Sequence, residues 1–479
     1  MPISIRRASR DLPRCDAVRL CLAPWWEMAA SRTSLVVVGA QGLPLAFSQT
    51  AASTLVGIQK VDVTALKQDW ICCQIGAREH YAISRALARA NSLARLITDS
   101  WVAPTWLLGR TTSQRLRISG QRSKVRSRFH GELSDARVTA FNLPLMQFEL
   151  LAYVRRLRGW DKVIARNKWF QRKVIASLTS DLEFSTSTPP ALFSYSYAAR
   201  DIFRFVKTQG WKTILGQIDP GPVEEEIVRA EHEAYPEFIS DWRPAPTEYW
   251  QNWRQECELA DIIIVNSEWS RRALERADAN RQKLSVIPLT YEPPAGDSAT
   301  AHEYPERFTP ERPLRVLFLG QINLRKGVAR LLEAAQALRN EPVEFWMVGP
   351  RQCRPPEQLR RLKNVRWFGR VAHANAAQYY RDADIFILPT LSDGFALTQL
   401  EAQAHRLPVI VTRYCGEVVR DGVNGLVLEE PSSEQIATAI QFCLRNPDRL
   451  ASFSESSRVE KRFSLEVLSQ NLLAIGSVP

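Results

Sequence analysis

Pro389-Thr390-Leu391-Ser392-Asp393-Gly394-Phe395-Ala396-Leu397-Thr398-Gln399-Leu400-Glu401-Ala402 places a carboxylate on each side of an expected helix start. The apolar run Asp384-Ile385-Phe386-Ile387-Leu388-Pro389 precedes it and Leu407-Pro408-Val409-Ile410-Val411 follows. That pattern predicts strand, glycine turn, helix, strand. At such a turn the backbone N–H groups of Gly394, Phe395 and Ala396 are expected to be unpaired and aimed above the helix, where the dipole favours a phosphate. Asp393 and Glu401 stand eight positions apart, roughly 12 Å at a helical rise of about 1.5 Å per residue. Such a reach holds a sugar at one end and a ribose at the other, which suits a nucleoside diphosphate sugar.

Asp393 to Glu401 resembles the E-x7-E signature of the retaining glycosyltransferases of family 4, whose fold is called GT-B. The resemblance continues through Leu407-Pro408-Val409-Ile410 and from Gly416 to Leu426, and covers roughly residues 68–470. The first acid here is Asp, one methylene shorter than the family's Glu. The resemblance implies an α/β chain with the GT-B architecture, two Rossmann-like doubly wound domains facing a cleft. It also implies transfer with retention of configuration, no cofactor and no obligatory metal, the donor being a nucleoside diphosphate sugar.

A chain of 479 residues exceeds one ordinary core and predicts two or three domains. Its formal charge of +12 implies acidic partners: nucleotide phosphates, nucleic acid or an anionic membrane face. The eight cysteines form no C-x-x-C pair, which reads as reduced thiols in a cytoplasmic protein. Residues 34–47 are apolar but carry Gly39, Gly42 and Pro44 and fall short of the roughly 20 residues of a membrane span.

Residues 1–66 show no readable pattern and are expected to be an N-terminal extension. From residue 67 to 291, β/α alternation predicts a Rossmann-like, acceptor-side domain, with strands at Asp69 to Ala77, Ala94 to Thr98, Val138 to Phe141, Ala191 to Tyr195, Lys212 to Ile218 and Asp261 to Ser267, and a helix from Leu150 to Arg156. Ser267 is expected to cap the helix that follows it. Residues 292–313 contain Pro293, Pro294, Pro305, Pro310 and Pro313 and read as a linker. A second alternation over residues 314–460 predicts the donor domain, and residues 461–479 a helix that, by the resemblance, returns to the first domain.

Gly320-Gln321-Ile322-Asn323-Leu324-Arg325-Lys326-Gly327 lies between a strand and a helix, where Arg325 and Lys326 together are expected to meet a diphosphate. Gln321 stands at or near a position the family usually fills with a cation. The resemblance gives the loop at Arg370 and Val371 to the nucleobase through backbone groups, leaving uridine, guanosine and adenosine donors open. On the acceptor side, Gly76-Ala77-Arg78-Glu79-His80-Tyr81 brings Arg78 and His80 towards the cleft. His80 is expected to orient an acceptor hydroxyl or take its proton. Many family members carry a His where this chain reads Ser194-Tyr195-Ser196-Tyr197, which raises the interest of His80 and of Asp219 in Gln217-Ile218-Asp219-Pro220-Gly221.

Residues 110–128 hold seven basic side chains (Arg110, Arg115, Arg117, Arg122, Lys124, Arg126 and Arg128) and no acid. Without interleaved aromatics they do not read as a nucleic-acid surface. A solvated loop is the plain reading, and an anionic membrane face fits them better than nucleic acid, at about 1 kcal/mol per charge near the lipid. The sequence therefore predicts a hexosyltransferase acting on a glycan or lipid-linked acceptor, cytoplasmic and peripheral to the inner membrane face. A nucleotide-sugar epimerase or phosphorylase, and a non-catalytic nucleotide- or polyanion-binding protein, are the competing readings.

Overall fold

Near-continuous apolar runs separated by helices can bury both faces only in parallel sheets covered on each side, and the computed structural model shows two of them. It describes residues 68–102, 128–180, 189–293 and 300–476. Residues 1–66 and the basic cluster, apart from Arg128, lie outside them.

The first sheet comprises β1 (Trp70–Gln74), β2 (Leu93–Thr98), β3 (Val138–Ala140), β4 (Ala191–Tyr195), β5 (Lys212–Gly216), β7 (Ile262–Val265) and β8 (Leu284–Val286). Their spatial order is β3-β2-β1-β4-β5-β7-β8, all parallel. The second sheet comprises β9 (Leu314–Leu319), β10 (Val343–Val348), β12 (Val365–Gly369), β13 (Ile385–Leu388), β14 (Val409–Thr412) and β15 (Gly425–Leu428). Here the order is β12-β10-β9-β13-β14-β15, again parallel. Both orders reverse beside their first strand, the mark of doubly wound nucleotide-binding folds. A short antiparallel pair, β6 (Ile239–Ser240) with β11 (Cys353–Arg354), stitches the two halves together.

Two elements differ from expectation. The helix expected over Leu150 to Arg156 runs from Asn142 to Val154, and a further helix, Gly159–Ser180, follows it. Pro144 sits in the first turn, where its missing N–H would have no helical partner. The proline-rich segment is tied to the second domain: Arg312 makes two bonds to Asp384, at 2.7 and 2.6 Å, and Tyr304 donates to Asp384 O. The final helix, Leu465–Gly476, buries Leu465, Leu468 and Leu472 in one core with Trp70, Phe193 and Leu87 of the first domain.

Candidate active site

In the second sheet the order reverses between β9 and β13, so the loops after these strands rise side by side at the carboxyl edge, where such sheets take ligands. One loop carries Gln321, Arg325 and Lys326, the other Asp393, Gly394, Phe395 and Ala396. Gly327 lets them touch: at φ 71°, a Cβ there would lie 1.9 Å from Pro389 O. Lys326 Nζ donates to Asp393 Oδ2, and Arg325 Nη1 lies 3.5 Å from Asp393 Oδ1. Burial opposes ionisation of Asp393, yet the charges of Lys326 and Arg325 outweigh it and hold its carboxyl below the usual range. Burial pulls the Lys326 ammonium down from its ordinary value, against the pull of Asp393.

Several expectations need correction. Arg325 is only 4% exposed, and its Nη1 donates to Glu224 Oε2 at 2.9 Å and Ser392 O at 2.7 Å. It ties the loop to Glu224 of the first domain. Of the three backbone donors, Ala396 N–H already binds Cys415 O at 3.1 Å. Those of Gly394 and Phe395 make no hydrogen bond among the described residues. The helix spans Leu397–Ala404, so Asp393 precedes it and its separation from Glu401 is not wholly helical. Arg128, in the basic cluster, bonds Asp99 at 2.7 Å and is committed to the fold.

Glu401 is buried and accepts from Tyr380 Oη at 2.7 Å, while the Tyr380 ring stacks on His405. Gln321 Oε1 is buried with no partner among the described residues. Directly after β12, Arg370 is exposed and Val371 half-buried, and Gly369 O accepts from Gly349 N at 2.8 Å, which aligns the ends of β10 and β12.

Across the cleft, the loop after β1 has an unusual backbone. Glu79, His80 and Tyr81 are left-handed in succession, at φ 50°, 51° and 60°, a conformation that costs about 1–2 kcal/mol per residue without glycine. His80 N–H donates to Ala77 O, and Arg78 lies with its guanidinium 5.0 Å from the Tyr195 ring centre. Burial lowers the Arg78 pKa, while Tyr195, Glu79 and Asp219 resist. The loop is anchored by Asp99, whose carboxylate takes the Gly76 N–H at 2.8 Å as well as Arg128 and Arg166. Nothing in the sequence singled Asp99 out, because one acid after a strand reads as an ordinary turn residue.

Asp219 closes a turn by accepting Gly221 N–H at 2.9 Å, and also accepts Tyr197 Oη at 2.5 Å. Burial raises its pKa, opposed by Tyr197, Gly221, Arg78 and Arg325. Next to it stands Glu224, which sequence reasoning missed. It takes the Arg325 guanidinium and, at 3.0 Å, the Ser392 hydroxyl. Burial pushes its pKa up to about 7, with Asp219 and Asp393 adding to the rise and Arg325 opposing. Its signal was Pro222-Val223-Glu224-Glu225-Glu226, which reads as ordinary acid complement to a helix N-terminus.

Gly394 completes the junction. Its carbonyl accepts Ser267 Oγ at 2.7 Å, and a Cβ on it would lie 2.7 Å from Ile218 O. Ser267 also caps its own helix by accepting Ser270 N–H, as expected. Asp219, Glu224, Arg325, Asp393 and Lys326 thus form one charged chain across the cleft. Glu401 is turned towards Tyr380.

Residues 313–446 match a family model described as Glycosyl transferases group 1. The D-inositol 3-phosphate glycosyltransferase 2 of Catenulispora acidiphila is 31% identical over 238 residues, 45% of this chain and 55% of that protein. The D-inositol 3-phosphate glycosyltransferase of Rhodococcus opacus is 31% identical over 237 residues, 45% of this chain and 52% of that protein. The chain spans about half the length of these curated relatives. Among solved structures, Anabaena HepE in complex with UDP is similar at a TM-score of 0.53 and 15% identity, over 86% of this chain and all of that one. Sucrose-phosphate synthase from Thermosynechococcus elongatus is similar at 0.55 and 17%, over 85% and 98%. The fold is GT-B.

Proposed function

We propose that the protein is a glycosyltransferase that moves a hexosyl group from a nucleoside diphosphate sugar to a hydroxyl acceptor, with retention. The observation that carries this reading is the meeting of Lys326 with Asp393 between the two loops at the β9/β13 switch point. The match of residues 313–446 to glycosyl transferases and the relatives' names support it. HepE is solved with UDP and with UDP-glucose, so uridine donors are the first to try.

In this reading the diphosphate lies over Gly394 and Phe395, whose N–H groups are open, with Lys326 at its oxygens. As the bond from the anomeric carbon to the phosphate oxygen breaks, its electron pair goes to the diphosphate, the acceptor oxygen bonds the anomeric carbon in its place, and the acceptor's proton leaves with the diphosphate. Preorganised donors that meet this charge are the main catalytic term. Asp393, held ionised beside Lys326, contacts the transferred sugar, and Glu401 takes the ribose, with the Tyr380 hydroxyl fixing its carboxylate. Gln321, Arg370 and Val371 complete the donor side. His80, Arg78 and Asp219 face the acceptor, His80 orienting its hydroxyl. The proposed acceptor is a glycan or a lipid-linked molecule met at the cytoplasmic membrane face. Among the described residues no helix is long and apolar enough to cross a membrane.

The test is release of free nucleoside diphosphate from a panel of nucleotide sugars, with and without a chelator. Release that survives chelation supports transfer without a resident metal. A panel left intact throughout favours a binding protein.

A further inference from the structure

The helix Asn142–Val154 is apolar on both its inner and outer faces. Leu145 and Phe148 pack on the first domain's core, Ala152 is buried, and Phe148 lies 5.4 Å from Trp169 ring to ring. The opposite face should be polar in a water-facing helix. Instead Leu143 is 72% exposed, Met146 68%, Leu150 64%, Tyr153 81% and Val154 67%, at i, i+3, i+7, i+10 and i+11. With Leu151, six of the eleven large hydrophobic residues exposed among the described residues sit on this one helix. A patch so concentrated marks an interaction surface, since scattered single residues are the norm.

We propose that this helix lies in the interface of an anionic bilayer, with its outer stripe among the acyl chains. Charge complementarity selects that occupant. Arg155, Arg156 and Arg158 follow the helix directly, all exposed and in no ion pair among the described residues. The helix has one acid, Glu149, and Lys162 neutralises it at 2.7 Å. An apolar stripe edged by arginines suits acyl chains edged by anionic headgroups. A second copy of this chain fits it poorly, because two-fold pairing through the stripe brings two arginine clusters onto one small interface. Thirteen residues rise about 20 Å, too short to span, and the inner face is held by the domain, so the helix lies in the plane of the surface.

The location connects the surface with the cleft. Asn142, the first helical residue, exchanges two hydrogen bonds with the Trp101 backbone, at 3.0 and 2.8 Å. The Trp101 ring packs edge-on against Tyr81, the last residue of the left-handed turn that carries His80. A bilayer on this helix therefore lies beside the acceptor side of the cleft. The inference stands without the transfer reading, because vesicle binding needs no turnover.

The experiment is co-sedimentation of the full chain with phosphatidylcholine vesicles, and with vesicles that also contain phosphatidylglycerol, at low and high salt. Two variants accompany the parent: Leu143→Gln/Met146→Gln/Leu150→Gln and Arg155→Gln/Arg156→Gln/Arg158→Gln. All six residues are exposed, so both variants keep the parent's melting temperature and nucleotide binding. The parent should sediment with anionic vesicles only. The apolar variant should bind about tenfold or more weakly at either salt. The arginine variant should bind roughly a hundredfold more weakly at low salt, from about a factor of five per charge. Parent that stays in solution, or an apolar variant that binds like parent, overturns the proposal. So does a parent dimer in ultracentrifugation that the apolar variant dissolves, which would make a second copy the occupant.

Discussion

At the scale of single residues, Lys326 and Asp393 are coupled, and each is informative only with the other. Removing the lysine leaves Asp393 near Arg325, which is already committed to Glu224. Lys326→Ala should therefore lower turnover about 100-fold or more, as loss of a preorganised charge does, while nucleoside binding stays close to parent. Equal losses on nucleoside and nucleoside diphosphate would remove the phosphate role. Glu401→Ala should weaken donor binding by about 1.5–3 kcal/mol, a lost charge-assisted bond. Tyr380→Phe, which removes only the hydroxyl that bonds Glu401, should show a smaller loss of the same sign; calorimetric titration of the donor measures both. The sequence offered Asp393 and Glu401 through their resemblance to a family signature, and Lys326 through its place in a strand-to-helix loop. Glu224 and Asp99 were hidden, since each gains its meaning from partners 101 and 67 residues away.

At the scale of elements, the strands were readable because parallel strands buried on both faces must be apolar throughout. The first two turns of the helix Asn142–Val154 were missed because its apolar residues run all round and give no clear 3.6-residue period. The following helix, Gly159–Ser180, mixes charged and aromatic residues and gave no clearer stripe. Turns bear the strictest geometry. Gly327→Ala would drive a Cβ into Pro389 O, 1.9 Å away, and force the two site loops apart. A drop of several degrees in melting temperature with donor binding lost is the expected outcome, checked by thermal denaturation with and without nucleotide. A second element-scale prediction concerns Glu256, whose buried carboxylate takes the N–H groups of Tyr197, Ala199 and Arg200 at 2.6, 2.8 and 3.2 Å. Glu256→Ala leaves those donors at a helix start without their acceptor and should cost about 3 kcal/mol in chemical denaturation.

At the scale of the whole molecule, the two domains are held together by contacts that no local pattern announces. Arg330 reaches Glu231 at 2.6 Å, Trp269 Nε1 donates to Ser392 Oγ at 3.1 Å, and Glu224 receives Arg325. The two-domain fold was legible in the sequence, and the closure of the cleft was not, because pairing across it depends on how two finished domains meet. Glu224 makes this closure sensitive to pH. Burial lifts its pKa from 4.5 to about 7, so the folded, closed molecule binds a proton that the unfolded chain has released. That contribution is full below about 4.5 and is lost as pH rises through about 7. Glu224→Gln should flatten the fall in melting temperature across this window, and an unchanged slope would mean that Glu224 does not titrate there.

The most direct measurement is titration of the parent and of Lys326→Ala with a nucleoside diphosphate and with its nucleoside, followed calorimetrically. Parent should bind the diphosphate far more tightly than the nucleoside, and the lysine variant should lose most of that difference while its nucleoside affinity holds. A parent that binds both alike, or a variant that keeps the full preference for the diphosphate, would contradict a diphosphate site at the β9/β13 switch point.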